Sequence, residues 1–340
     1  MRRISRRRFV KAAAATAVVA RVNILSRRAD AAEFVFKYGS NLPADFPMNV
    51  RATEAAKRML EATGGRFDFR VFPAGQLGSD TDMLAQVRSG GIQFYAGSGS
   101  AVLSTLVPVA AINALGFAFK NYEQVWAAMD GDLGGFLRGE IAKRGLHALP
   151  KAFDNGFRQI TTSTRPINTV ADLKGFKIRI PISPLGVSMF KGLGASPVGI
   201  NWSEVYSALQ THVVDGQENP LSNIDAGKLY EVQKYCSTTN HQWDCFWFLG
   251  NGPAWQQLPG DIQEVVEREL GVAAEQDRKD IAALNDSLAA SLKQKGFAFN
   301  DVDTEPFKAQ LREAGFYAEW KKNFGDEAWT LLEKYVGKLT

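Results

Sequence analysis

The stretch D-L-K-G-F-K-I-R-I-P-I-S-P, residues 172–184, decides the fold of this 340-residue chain. Apolar and polar side chains alternate over residues 176–180, which is typical of a strand. Pro181 follows and has no N–H to donate to a sheet, so the strand is expected to end there. Arg179 lies one residue from that end, where α/β sheets bind their ligands. Its guanidinium can hold a carboxylate through two parallel hydrogen bonds.

A helix is predicted next, within N-W-S-E-V-Y-S-A-L-Q at residues 201–210. Asn201 stands three residues before Glu204, a spacing that resembles a capping box, and this predicts that a helix begins at Trp202. Strand, turn and helix therefore alternate along this part of the chain, and the alternation predicts an α/β fold.

The rest of the chain favours two lobes with a cleft between them. Strands are indicated at residues 33–38, 67–72 and 92–95, and helices at 44–63, 79–87, 259–294, 306–311 and 326–336. The chain is expected to cross between the lobes near residues 151–156 and 239–246. Lobe I then contains residues 33–155 plus about 244–283, and lobe II contains 156–243 plus about 284–340. The long helix at 259–294 spans both.

Charge is distributed unevenly along the chain. The sequence has 40 Lys and Arg and 36 Asp and Glu, a formal net charge of +4, but residues 1–32 hold nine of the basic side chains and one acidic one. The remaining residues hold 31 basic and 35 acidic side chains, a net charge of −4. The basic character therefore belongs to the N-terminal segment and does not support nucleic-acid binding.

The N-terminal segment, residues 1–32, is predicted to be a twin-arginine signal peptide. S-R-R-R-F-V-K at residues 5–11 resembles the twin-arginine motif, a weakly apolar run follows at 12–20, and A-D-A at 29–31 is a small-residue cleavage site. The alternatives are an amphipathic helix or a membrane anchor. Nine apolar residues are too few for a membrane span, which needs about 20. The mature chain is therefore expected in the periplasm.

Six motifs follow one another along the chain. They are K-Y-G-S-N from residue 37, F-P-A-G-Q-L-G from 72, G-F-R-Q-I-T-T from 156, R-I-P-I-S-P from 179, S-P-V-G-I-N-W-S-E-V-Y-S-A-L-Q-T from 196 and V-D-G-Q-E-N-P from 214. Together they resemble the DctP-type solute-binding proteins of TRAP transporters. The resemblance implies a two-lobed periplasmic binding protein, type II-like, that captures a small organic acid. It also implies delivery to a small and a large membrane subunit, with no cofactor.

The resemblance assigns the carboxylate of the ligand to two arginines. Arg179, in the R-x-P motif, holds the carboxylate in this family; the alternative is a surface arginine on an edge strand. Arg158, in G-F-R-Q, is the second family arginine and lies near the same carboxylate or at its edge. An ion pair between the lobes is the alternative for Arg158.

Four further residues match ligand-contacting positions in similar proteins. Asn219 resembles an amide that binds the ligand or Arg179, and Trp202 resembles an aromatic ring that stacks on the ligand. Asn41 and Asp80 match contacts of the sialic-acid-binding members. Each has a structural alternative: a turn before proline for Asn219, core packing for Trp202, and a turn or a cap for Asn41 and Asp80. Members that bind acids together with a metal carry Glu-Trp where this chain has Glu-Asn, so no metal is expected.

Two positions depart from the sialic-acid pattern. Ser98 stands where those members have Glu in the loop after strand 92–95, and Ile182 stands where they have Asn after the R-x-P motif. Both changes remove polar groups that a hydroxylated sugar acid needs. A small or partly apolar organic acid is therefore expected, with Ser98 at its binding site.

Two rival functions stay open: a secreted enzyme, and a binding protein that serves a sensor instead of a transporter. His147, His212 and His241 lie in no nucleophile or metal motif, and the chain has no dinucleotide fingerprint, so no catalysis is expected. Cys236 and Cys245 either form a disulfide or remain buried thiols.

Overall fold

Strands and helices alternate along residues 32–97 and 99–339, the part of the chain that the computed structural model describes. The predicted signal peptide therefore lies outside the described residues, except for its last position, residue 32. The alternation confirms the α/β fold class.

The strands are, in chain order, β1 (Phe34–Ser40), β2 (Phe67–Phe72), β3 (Phe94–Ala96), β4 (Leu146–Ala148), β5 (Phe153–Phe157), β6 (Gln159–Thr162), β7 (Lys177–Ile180), β8 (Ser196–Gly199), β9 (Gly216–Asn219), β10 (Tyr235–Thr238), β11 (Trp243–Phe246), β12 (Leu249–Asn251) and β13 (Ala298–Asp301). The helices are α1 (Pro47–Ala62), α2 (Asp80–Ser89), α3 (Gly99–Leu103), α4 (Tyr122–Met129), α5 (Asp132–Ala142), α6 (Pro184–Gly192), α7 (Val205–Gln210), α8 (Leu221–Ala226), α9 (Gly252–Gln256), α10 (Gly260–Gln294), α11 (Glu305–Glu313), α12 (Phe316–Phe324) and α13 (Asp326–Val336).

The strands form two main sheets and a separate two-stranded ribbon. The N-terminal sheet has the order β2-β1-β3-β12-β4, and the C-terminal sheet has the order β13-β10-β6-β9-β7-β8. The connecting ribbon consists of β5 and β11, which pair antiparallel. Strand β5 leads from the N-terminal sheet to the C-terminal sheet, and β11 leads back. The two sheets are therefore the centres of two lobes, and the limits of these lobes along the chain remain our proposal.

Strand β7 forms where the alternation predicts it, and it has a neighbour on each side. It pairs in parallel with β8 and with β9. Arg179 is opposite Val198 on one neighbour and Gln217 on the other. The alternative of an exposed arginine on an edge strand is therefore wrong.

The helix predicted to begin at Trp202 begins at Val205 instead, after a 3₁₀ turn at Trp202–Glu204. The predicted capping box is also wrong, because the side chain of Asn201 makes no cap hydrogen bond. Its Nδ2 donates to Thr81 Oγ1 on α2 at 3.4 Å. This contact joins the two lobes and takes the side chain away from its own helix.

The long helix α10 extends along both lobes, as predicted. Its 35 residues span about 52 Å. On the side of the N-terminal sheet, Asp280 and Glu269 accept hydrogen bonds at 2.6 Å from the arginines Arg51 and Arg58 of α1. Towards its C-terminus, Leu292 belongs to a core cluster with residues of α7 and α8. The helix therefore braces both lobes.

Two C-terminal elements were not predicted from the sequence: helix α12 and the edge strand β13. Helix α13 packs against α4 and α5, and Lys334 pairs with Asp132 at 2.6 Å. Helices α4 and α5 belong to the proposed lobe I, whereas α13 belongs to the proposed lobe II. The last helices therefore contact both lobes.

Cys236 and Cys245 are buried free thiols. They lie on β10 and β11 in different core clusters, so the alternative of a disulfide between them is excluded. None of the helices in the described residues is long and apolar enough to span a membrane.

Two buried carboxyl groups lie where α10 passes the connecting ribbon. Asp277 Oδ2 accepts from the backbone N–H of Asp154 at 2.8 Å, and Asp154 Oδ1 accepts from Trp243 Nε1 at 2.9 Å. Burial raises the pKa of Asp154 from 3.8 to about 7. Burial also raises the pKa of Asp277 well above its usual range, and the neighbouring Asp154 adds to that effect.

This pair predicts that the free energy of unfolding falls as the pH rises from about 4 to about 7. In that window the folded chain keeps a proton on Asp154 that the unfolded chain releases, so acid favours the folded state. Asp154→Asn keeps an oxygen that accepts from Trp243 but cannot titrate. The decrease in unfolding free energy between pH 4 and pH 7 should therefore be smaller by a few kcal/mol, since one pKa unit is about 1.4 kcal/mol. Urea unfolding between pH 4.5 and pH 8 measures this, with the exposed Asp45→Asn as the control for a lost charge. Equal slopes in wild type and Asp154→Asn would contradict the assignment.

Candidate ligand-binding site

Five of the seven predicted ligand-binding residues line one small cavity between the two sheets. The cavity is lined by Asn41, Asn155, Arg158, Arg179, Pro181, Trp202, Asn219, Asn223 and Phe246. Its volume is about 10 Å³, which is room for one water molecule. Of the other two predicted residues, Asp80 lines a neighbouring cavity together with Asn41 and Trp202, and Ser98 lies outside the described residues.

Arg179 brings an incompletely paired positive charge to this cavity. Its side chain is 1% exposed, and Nε and Nη2 both donate to the carbonyl oxygen of Ile200, at 2.9 and 2.6 Å. Within residues 32–97 and 99–339, no group pairs with its Nη1. Burial lowers the pKa of Arg179 to about 9, which still leaves the side chain charged at pH 7. A buried cation of this kind is stabilised by an anion that reaches Nη1.

Arg158, in contrast, is paired on every nitrogen. Nε contacts Glu218 Oε2, Nη1 donates to Asp244 Oδ2 at 2.9 Å, and Nη2 donates to the backbone oxygen of Glu218 at 2.8 Å. Glu218 comes from β9 of the C-terminal sheet and Asp244 comes from the connecting ribbon. Arg158 therefore forms buried ion pairs, although neither partner lies on the N-terminal sheet. The alternative of an ion pair between the lobes stays a prediction. Arg158 also lines the cavity, so a contact with the ligand remains a proposal.

The acidic partners of Arg158 differ in their electrostatics. Burial alone would raise the pKa of Glu218, but Arg158 and His241 outweigh it and lower that pKa to about 2. Burial raises the pKa of Asp244, and Arg158 offsets this only in part. Burial lowers the pKa of His241, whose Nε2 lies 3.1 Å from Glu218 Oε2. This network thus holds Glu218 ionised beside Arg158.

Asn219 and Trp202 both have structural contacts beside the cavity. Asn219 Oδ1 accepts from Nη2 of Arg158 at 3.1 Å, and no hydrogen bond is found between Asn219 and Arg179 in the described part of the chain. The half-buried ring of Trp202 packs against core residues of both lobes and lies against Gly227. Both side chains still line the cavity, so their contact with a ligand stays a proposal.

Asn41 and Asp80 converge on Gly97. A Cβ atom at Gly97 would lie 2.8 Å from Asn41 Oδ1 and 2.9 Å from Asp80 Oδ1, so no larger residue fits there without a shift. Asp80 is buried at the start of α2, where Ser79 forms the N-cap, and Asp80 Oδ1 accepts from the hydroxyl of Tyr95 at 3.0 Å. The lobe of the N-terminal sheet therefore contributes an amide to the cavity and a carboxylate to the neighbouring cavity.

The sequence analysis missed Asn155, which also lines the cavity. It lies on β5 and is 1% exposed, and its Nδ2 donates to Asp244 Oδ2 at 3.0 Å. Its Oδ1 has no hydrogen-bond partner among the described residues. Its place in the sequence could have indicated this residue, because Asn155 directly precedes the G-F-R-Q motif that contains Arg158.

No group of three or more His, Cys, Asp or Glu side chains is placed to hold a metal ion in residues 32–97 and 99–339. The polar side chains that line the cavity are two arginines and four asparagine amides.

Comparisons with known proteins match most of the chain. The model of the family described as bacterial extracellular solute-binding protein, family 7 (DctP), matches residues 38–323. A curated solute-binding protein of Roseobacter denitrificans is 32% identical over 311 residues, covering 91% of this chain and 94% of that protein. The uncharacterised protein y4mM of Sinorhizobium fredii is 37% identical over 306 residues, which cover 89% of this chain. This chain spans only 56% of the length of that relative.

A solved structure has the same fold. It is a TRAP periplasmic solute-binding protein from Roseobacter denitrificans with bound L-galactonate, and it matches with a TM-score of 0.82 at 29% identity. The match covers 89% of this chain and 99% of that chain.

The different pairing of the two arginines predicts different effects on stability. Arg158→Met leaves Glu218 and Asp244 buried without their cation and should cost about 3–5 kcal/mol of unfolding free energy. Arg179→Met removes a cation that has no carboxylate partner. The loss of its hydrogen bonds to Ile200 should cost about 1–3 kcal/mol of unfolding free energy. Removal of the buried positive charge offsets part of that cost. The protein is first freed of ligand by unfolding, dialysis and refolding. Urea unfolding should then show that Arg179→Met is more stable than Arg158→Met. Equal losses would mean that Arg179 has a counter-charge in the free protein.

Proposed function

This chain belongs to the bacterial extracellular solute-binding proteins of family 7, and we propose that it captures a small organic acid in the periplasm for uptake by a TRAP transporter. The observation that carries this proposal is the buried guanidinium of Arg179. One of its nitrogens lacks a partner among the described residues, and it lines a cavity to which both lobes contribute. A ligand carboxylate at that nitrogen would supply the missing negative charge.

In this proposal Arg179 holds the carboxylate, and Arg158, Asn219, Trp202, Asn41 and Asp80 surround the acid. Ser98 is proposed to join them from the loop after β3. Arg158 acts mainly through its ion pairs with Glu218 and Asp244 and through its hydrogen bond to Asn219, which holds that amide at the cavity. The bound L-galactonate of the Roseobacter denitrificans relative, itself an organic acid, supports this chemistry.

Residues 1–32 are proposed to direct export through the twin-arginine route, and the acid is proposed to pass unchanged to a small and a large membrane subunit. Capture without turnover is the expected behaviour of a member of this family. Incubation of the protein with each candidate acid, followed by chromatography of the acid, would reveal an enzyme.

Arg179→Lys tests the proposed function directly. A thermal-shift screen against an organic-acid library first identifies the tightest acid, and titration calorimetry then measures its affinity. Lysine keeps the charge but loses the planar arrangement of donors, so the variant should bind at least about tenfold more weakly. A loss of 1.4 kcal/mol is sufficient for that factor.

The matched control is Arg165→Lys, the same substitution at an exposed position outside the cavity lining. It should bind the acid like the wild type. Near wild-type affinity in a folded Arg179→Lys protein would remove Arg179 from the site, and with it the main support for a carboxylate ligand.

A further inference from the structure

We propose that Asn155 makes this site selective for a hydroxylated monocarboxylate, a step that rests on the proposed function. The Oδ1 atom of Asn155 accepts a hydrogen bond from a hydroxyl group of the same acid whose carboxylate Arg179 holds. Two buried atoms on the same cavity carry this inference: the acceptor Oδ1 of Asn155 and the donor Nη1 of Arg179. Neither has a hydrogen-bond partner in the described residues.

The amide of Asn155 has a defined orientation. Asp244 Oδ2 lies 3.0 Å from the Nδ2 of Asn155, and the same oxygen accepts from Nη1 of Arg158 at 2.9 Å. An oxygen that already accepts from Arg158 takes the NH₂ side of the amide, not the carbonyl side. The carbonyl oxygen of Asn155 is therefore the atom left for a ligand. Because it can only accept, it requires a group that carries a hydrogen, and a hydroxyl is the neutral group that meets this need.

The charges around the cavity favour an acid with one carboxylate. Glu218 and Asp244 are both paired with Arg158, so this arginine already has two negative neighbours. Arg179 is the other arginine that lines the cavity, and in the described residues no carboxylate lies within ion-pair distance of it. A first carboxylate neutralises Arg179, whereas a second one would be buried near Glu218 and Asp244 with no cation to balance it.

A second cavity adjoins this site, and apolar residues line it together with the two carboxylates Glu218 and Asp244, which disfavour a second negative charge there. Arg158 and Pro181 line both cavities, and the second has a volume of about 20 Å³. Its apolar lining includes the small residues Ala101, Ala111 and Ala114 together with Ile180 and Leu185. Together these features describe a small acid with one carboxylate, one hydroxyl that meets Asn155, and an uncharged remainder.

The test compares pairs of acids that differ by one hydroxyl group. Titration calorimetry of the full mature chain uses lactate with propanoate, 2-hydroxybutanoate and 3-hydroxybutanoate with butanoate, and 2-hydroxyhexanoate with hexanoate. Malate and succinate represent the dicarboxylates. In at least one pair the hydroxy acid should bind at least about tenfold more tightly than its deoxy partner, because the deoxy acid leaves the buried acceptor unpaired. Malate and succinate should bind at least about tenfold more weakly than that hydroxy acid.

Asn155→Ala then tests the residue itself. It should reduce the preference for the hydroxyl to within about twofold and leave the affinity for the deoxy acid within about threefold. Asn168→Ala, the same substitution at an exposed position outside the cavity, is the control and should keep the wild-type preference. If Asn155→Ala does not fold, the wild-type pairs of acids still decide on selectivity.

The outcomes separate this inference from the proposed function. If no acid of the panel or the library binds, the proposed function fails and this inference falls with it. If acids bind without preference for the hydroxyl, or if a dicarboxylate binds most tightly, the proposed function stands and the inference is overturned. A hydroxyl preference that survives in folded Asn155→Ala would assign the acceptor to another residue.

Discussion

The site depends on a constraint that applies to any buried cation, which needs a negative partner inside the protein. Arg158 has two such partners, Glu218 and Asp244, with Nη1 2.9 Å from Asp244. Arg179 shares the cavity with Arg158 and, among the described residues, has a single backbone oxygen as its acceptor. The first arginine therefore stabilises the fold without a ligand, and the second is placed so that an acid can complete its pairing. In our proposal, structure and binding are thus divided between two arginines of the same cavity.

The closed cavity has a consequence for how an acid enters. Room for one water molecule is too little for any organic acid, so we propose that the lobes separate before binding. The connections that cross between them are β5, β11 and the long helix α10. The ribbon of β5 and β11 contains a register shift between Asp244 and Cys245, a place where a strand pair bends more easily. Asp244 itself binds Arg158 and Asn155, so a hinge at this point would move the site together with the lobes.

Local sequence patterns predicted the α/β class, strand β7 and the long helix α10, because periodicity and breakers act over a few residues. The resemblance to a family selected Arg179 and Arg158. What the sequence could not predict depends on partners far along the chain. Arg158 is 60 residues from Glu218 and 86 from Asp244, and no local pattern records such pairs. Asn201 failed as a cap for the same reason, since its partner Thr81 lies 120 residues away on the other lobe.

The most direct test of this account is a crystal structure of the mature chain with the tightest-binding acid. We predict a carboxylate oxygen within about 3.2 Å of Nη1 of Arg179, at hydrogen-bond distance, with Arg158 still paired to Glu218 and Asp244. An acid held by Arg158 after its pair with Glu218 has broken, or bound away from Arg179, would contradict the division of roles between the two arginines.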